Sequence, residues 1–201
     1  MNDLRNYSLV TGAYWGFTLT DGALRMLVLL HFHQLGYTPI QIALLFLLYE
    51  FFGVITNLIG GWLGSHFGLK STLFAGLSLQ AAALVMLALL DQSWSTAFSV
   101  TYVMASQALS GIAKDLTKMS SKSAIKQLVP ADAESTLFRW VALLTGSKNA
   151  LKGFGFFLGG MLLTWVGFRG ALLLMAAGLV VILISAVINL PQEMGLSLIH
   201  I

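Results

Sequence analysis

Apolar runs long enough to cross a hydrocarbon core, about 20 residues each, follow one another along almost the whole chain. Breaks rich in glycine, proline and polar residues divide them into six helices. These are roughly Tyr7–Leu35, Pro39–Leu63, Lys70–Leu90, Thr96–Val129, Phe138–Trp165 and Phe168–Leu190. The breaks are Gly36 with Pro39, the segment from Gly64 to Gly68, Asp91 to Ser95, Pro130 to Ser135, and Gly167 with Gly170. The expected fold class is an all-α integral membrane protein with six transmembrane helices. Composition agrees, since only 9% of residues are charged where a soluble domain has about a quarter. The fourth helix is long and is expected to bend or end early near Ser120 and Ser121. Met1 to Tyr7 lacks the pattern of a cleaved signal peptide, so the first helix is read as a retained span.

Several function classes fall away. The chain has no cysteine, which excludes disulfides, Fe–S clusters and Cys-based zinc sites. No cofactor or metal is expected. His31 and His33 near the end of the first helix supply two ligands and do not complete a metal site. The net charge of +3 does not point to nucleic acid, because the basic residues lie in or beside apolar segments. Basic residues also set orientation. Arg5, Lys70 and Arg139 fall at one end of the bundle, while the opposite end carries His31, His33, Asp91 and Arg169. Both chain ends are therefore expected in the cytoplasm.

Within this apolar chain, lysine recurs every fourth residue at Lys114, Lys118, Lys122 and Lys126, and again at Lys148 and Lys152. Residues four apart share one helix face. A lysine at the bilayer centre costs about 2.5–3.5 kcal/mol, so Lys114 and Lys118 are expected to face a protein-lined or watery cavity. From Lys114 to Lys126 the stripe spans about 18 Å at 1.5 Å per residue. That length could form a funnel drawing an anion inward. Its shallow members could equally be lysines that snorkel to headgroups. Asp115 adjoins Lys114 and lies three residues from Lys118, so it could neutralise one of them. Lys148 and Lys152, with Asn149 beside them, have no acid nearby in sequence. They are the best candidates for direct contact with a small anionic organic substrate. The alternative is pairing with an acid on another helix, such as Glu50 or Asp21.

Asp21 and Arg25, at i and i+4, could form an intrahelical pair. They could also form a switch in which substrate competes for Arg25 and releases Asp21 to take a proton. Glu50, with no base near it in sequence, is the rival proton carrier.

Motifs then give a resemblance. "GGWLGSHFGLKS", Gly60 to Ser71, is similar to the loop between helices two and three of major facilitator transporters. Gly61, Leu63, Gly68 and Lys70 match the pattern, and Ser65 stands where an acid is usual. The resemblance marks Gly61, Gly64, Gly68 and Lys70 as a gating loop. "QALSG" from Gln107 resembles the helix-four motif, with Gln107 where arginine is common. "GFFLGG" from Gly155 resembles the helix-five antiporter motif, with Phe156 where proline is frequent. The longer strings "NYSLVTGAYWGFTLTDGALRMLVLLHFHQLGY", "QALSGIAKDLTKMSSKSAIKQLVPADA" and "LTGSKNALKGFGFFLGG" resemble the ArsJ-type organoarsenical efflux transporters.

The resemblance implies export of 1-arseno-3-phosphoglycerate across the inner (plasma) membrane, arsenate resistance and proton antiport. It also implies a functional association with the glyceraldehyde-3-phosphate dehydrogenase that makes the ester. The chain corresponds to one six-transmembrane-helix half of the superfamily fold over residues 1–190, so a C-terminal six-helix half is expected as partner. Residues 191–201 read as the start of the central loop, and "LSLIHI" at the end resembles translated sequencing adapter. A major facilitator transporter of another organic phosphate or anion is the alternative within this class, and two other classes are open. A membrane enzyme is disfavoured because no catalytic arrangement converges in the sequence. A lipid-binding membrane subunit would use the basic stripe for anionic headgroups.

Overall fold

A computed structural model describes residues 2–91, 93–129 and 133–190. The tail from Pro191 onward lies outside the described residues, as do Pro130 to Asp132 of one expected break. Every regular element among the described residues is an α-helix. The helices are α1 (Asn2–Gln34), α2 (Pro39–Leu45), α3 (Leu47–Phe67), α4 (Leu69–Ala88), α5 (Thr96–Leu128) and α6 (Glu134–Asn189). Three stretches, Pro39–Phe67, Leu69–Ala88 and Glu134–Asn189, are long and apolar enough to cross a membrane by length and composition. The expected six transmembrane helices are thus matched by three stretches that meet this measure, one of which, Glu134–Asn189, is 56 residues long. At 33 residues each, α1 and α5 are long, but ionisable groups interrupt their apolar runs.

Local chemistry fixes most ends. The Thr38 side chain accepts a hydrogen bond from the Gln41 backbone N–H, and the Gln41 side chain accepts from the Thr38 N–H, with Pro39 in the first turn of α2. Ser95 caps α5 in the same way by accepting from Phe98 N–H. The expected second helix is interrupted at Phe46, whose N–H bonds back to the Ala43 carbonyl and tightens the turn. It then continues beyond the expected end at Leu63 to Phe67, so the expected loop from Gly64 shrinks to a single residue, Gly68. No break occurs near Ser120 and Ser121. α5 runs through both, and the Ser120 hydroxyl donates to the Leu116 carbonyl within the helix.

Gly167 interrupts α6 with φ 72° and ψ 177°, a left-handed φ that favours glycine. Neighbours show that the chain reverses there. Tyr7 stacks on Trp140, Trp15 bonds Ser147, Gly22 packs on Lys152 and Gly155, and His31 stacks on Phe168. The arm before Gly167 therefore runs parallel to α1. Beyond it Gly16 meets Ile182, and Lys70 donates to the Leu190 carbonyl, so the second arm runs back.

The core follows from this layout. Leu24, Leu27, Val28, Leu84, Leu87 and Leu172 fill one end. Val10, Phe17, Leu73, Leu77 and Leu179 fill the other. α3 and α6 expose apolar faces, including Val54, Leu58, Phe157 and Ile188, as a lipid-facing surface would.

Candidate functional site

Between α1, α3 and α5 the polar side chains converge on Tyr49. Among the described residues α1 and α3 make no close backbone approach, so side chains alone join them. The Tyr49 ring is fully buried. Its hydroxyl donates to Asp21 Oδ1 at 2.5 Å. Arg25 stands over the ring with its guanidinium carbon 4.1 Å from the centroid. The Lys114 ammonium lies 4.4 Å from the same centroid. Each cation sits within cation–π range. Gly111 allows this arrangement, because a Cβ there would collide with the Tyr49 backbone carbonyl. Gly53, one turn after Tyr49, leaves space for the Lys114 ammonium and the Asp115 carboxylate, which would lie 3.1 and 3.0 Å from an added Cβ.

The ion pairs differ from those expected along the sequence. Asp21 and Arg25 do not pair with each other. Arg25 Nη2 reaches Glu50 Oε1 at 2.8 Å, and Lys114 Nζ reaches Glu50 Oε2 at 3.3 Å. Glu50, without a base near it in sequence, is thus held by two bases from other helices. The reason is rotation: Asp21 turns toward the Tyr49 hydroxyl, and Arg25 swings across the ring to α3. Asp115 does take the local role expected of it, with Lys118 at 3.1 Å and Lys114 at 3.7 Å. Asp21 is 4% exposed, whereas the Glu50 side chain is 58% exposed.

Lys148 and Lys152 form no ion pair among the described residues, so the expected alternative of a Glu50 or Asp21 partner is not realised. Both are half-buried. Lys152 stands within electrostatic reach of Asp21, Arg25, Lys148 and Lys114. Lys122 stands within reach of Lys118, Lys126 and Lys148. Members of the two basic stripes therefore stand close enough to feel one another's charge. Asn149 and Lys126 are exposed. A cavity of about 410 Å³ opens beside Arg25, lined by Met26, Leu29, Ala43, Phe46 and Phe156.

The glycine-rich junction is not a loop. Gly61 and Gly64 lie within α3, Gly68 turns the chain with φ 82°, and Lys70, in the first turn of α4, donates to the Leu190 carbonyl. Ser65, in the place of the usual acid, donates to the Trp62 carbonyl within its own helix. At the opposite end His31, Asp91 and Arg169 help line a cavity of about 810 Å³. The Ser93 backbone N–H bonds Asp91 and holds its carboxyl below the usual range.

Sequence reasoning missed two residues. Tyr49 was hidden beside Glu50 in an apolar helix, although a hydroxyl-bearing aromatic next to a carboxylate was a usable signal. Gln107 was noted only as a departure from a motif. It is fully buried, and neither end of its amide has a hydrogen-bond partner among the described residues. It lies two turns before Lys114 on the same face of α5.

The family model described as Major Facilitator Superfamily matches residues 10–195. No curated protein matches the chain.

Proposed function

We propose that this chain, which belongs to the major facilitator superfamily, carries a small organic anion outward in exchange for protons. Members of this superfamily are transporters rather than enzymes, and the apolar helices make this one a multi-pass membrane protein. The observation that carries the anion reading is that Lys148 and Lys152 form no ion pair among the described residues, while Arg25 and Lys114 stand within electrostatic reach of Lys152. Facing hydrocarbon, each unpaired ammonium would cost about 2.5–3.5 kcal/mol. Facing an anionic ester, the same groups gain charge-assisted hydrogen bonds. Asn149 at the exposed edge would orient the ester.

The specific cargo comes from the resemblance to ArsJ-type carriers. On that reading the ester is 1-arseno-3-phosphoglycerate, supplied by a glyceraldehyde-3-phosphate dehydrogenase that uses arsenate, and its export confers arsenate resistance. With α2 and α3 joined and the two arms of α6 counted separately, α1, α4 and α5 would bring the total to six crossings. Both ends would lie in the cytoplasm at the inner (plasma) membrane, and a second six-helix half would complete the pathway. Asp21 suits the proton role because it touches a neutral hydroxyl, so it can gain a proton without breaking an ion pair. Lys70, reaching Leu190 across the Gly68 turn, would couple the junction to the end of α6 during rocking.

Everted membrane vesicles holding the full-length carrier test this. Under an imposed proton gradient they should accumulate the arseno-ester, measured as unchanged substrate by mass spectrometry. A Lys148→Ala, Lys152→Ala double variant should lose at least about ten-fold in uptake, since two charge-assisted contacts are each worth roughly 1.5–3 kcal/mol. Equal uptake by the double variant would remove these lysines from the site. Uptake of a different organic phosphate, with the arseno-ester refused, would keep the carrier and change its cargo.

A further inference from the structure

Glu50 stands out as an exposed carboxylate held by two cations inside an otherwise apolar helix. Its side chain is 58% exposed, yet its two oxygens bind Arg25 and Lys114 separately, at 2.8 and 3.3 Å. Each cation has a support besides Glu50. Both lie against the Tyr49 ring, at 4.1 and 4.4 Å from its centroid. The hydroxyl of that ring is tied to Asp21, and Lys114 has a further carboxylate, Asp115, at 3.7 Å. The Arg25 Nε atom is buried without a hydrogen-bond partner, so the guanidinium has a donor to spare. Removing Glu50 would therefore leave a preformed pair of cations spaced to take two oxygens of one anion.

We propose that Glu50 is an internal stand-in for the cargo. Its carboxylate fills the Arg25–Tyr49–Lys114 clamp when the carrier is empty, and the anionic head of the substrate displaces it. This rests on the anion-transport reading above and adds the group that competes at its site. The displacement breaks no covalent bond and exchanges one oxyanion for another. A bare clamp would be open to inorganic anions, and Glu50 sets a threshold that only an anion of higher charge or better fit overcomes. A phosphate or arsenate monoester, with more oxygens and more charge than a carboxylate, meets that threshold. The released Glu50 moves into the space beside the clamp and, repelled by the bound anion, favours the next conformational step.

The test is calorimetric binding of 3-phosphoglycerate to the full-length carrier in lipid nanodiscs. Glu50→Gln removes the competing charge and keeps the shape, so it should bind about three- to ten-fold more tightly than wild type. Adding Arg25→Gln to that variant should cancel the gain. Glu50→Asp, one methylene shorter, loosens the hold without removing the charge and should also tighten binding. It keeps the inference testable if Glu50→Gln does not fold. Unchanged or weaker binding in whichever Glu50 variant folds, with wild type still binding, would overturn the stand-in role and leave the anion reading intact. Absence of binding in wild type and in both Glu50 variants, together with no uptake of the arseno-ester by the vesicles, would overturn the anion reading together with the inference.

Discussion

Tyr49 serves two neighbours with one side chain. Its ring face holds Arg25 and Lys114, and its hydroxyl holds Asp21, which is 4% exposed. The two roles separate on substitution. Tyr49→Phe keeps the ring and leaves a buried carboxyl without its donor, at a cost of about 1–3 kcal/mol. It should lower the melting temperature in detergent and weaken proton-driven uptake, while phosphoglycerate binding stays close to wild type. Binding lost in parallel with stability would mean that the ring is not the support of the two cations. The ionisable members of this cluster were legible in the sequence, because a charge inside an apolar run needs a partner or water. Their pairing was not. Whether Arg25 reaches Asp21 or Glu50 depends on how α1 is rotated against α3, and spacing within one helix carries no such information. Tyr49 was overlooked for a different reason: an aromatic residue in an apolar helix reads as packing, and only its hydroxyl beside the Glu50 carboxylate argued otherwise.

At the level of helices, two glycines give opposite expectations. A Cβ at Gly111 would meet the Tyr49 backbone carbonyl, which cannot yield without moving α3. Gly111→Ala should cost about 1–3 kcal/mol by overpacking and disturb the clamp. At Gly153 nothing lies within 4 Å of an added Cβ, so Gly153→Ala should gain about 0.5–1 kcal/mol from helix propensity. Thermal unfolding of the two variants in the same detergent compares them directly, and a stable Gly111→Ala would contradict the close crossing of α3 and α5. The reversal at Gly167 was readable, since the left-handed φ there favours glycine. The interruption at Phe46 was not, because neither glycine nor proline marks it. That tightened turn comes just before Tyr49 and Glu50 and helps set the direction in which they point. The stop expected at Ser120 and Ser121 failed because serine hydroxyls bond back to their own helix as readily as they cap a new one.

Over the whole molecule, the reversal at Gly167 brings Arg5, Lys70 and Arg139 to one end and His31, Asp91 and Arg169 to the other. The basic groups of α1, α5 and α6 lie between these ends, with three carboxylates, Asp21, Glu50 and Asp115, among them. An excess of positive charge thus lies between these ends, and on the proposed reading it faces water and a negative cargo. Cryo-electron microscopy of the full-length carrier in nanodiscs with a saturating phosphate or arsenate ester examines this at the atoms concerned. Density for the ester is expected among Arg25, Lys114, Lys148 and Lys152, with Glu50 turned away from Arg25. Lysine side chains pointing out to lipid headgroups, around a crevice without charge or ligand, would contradict it.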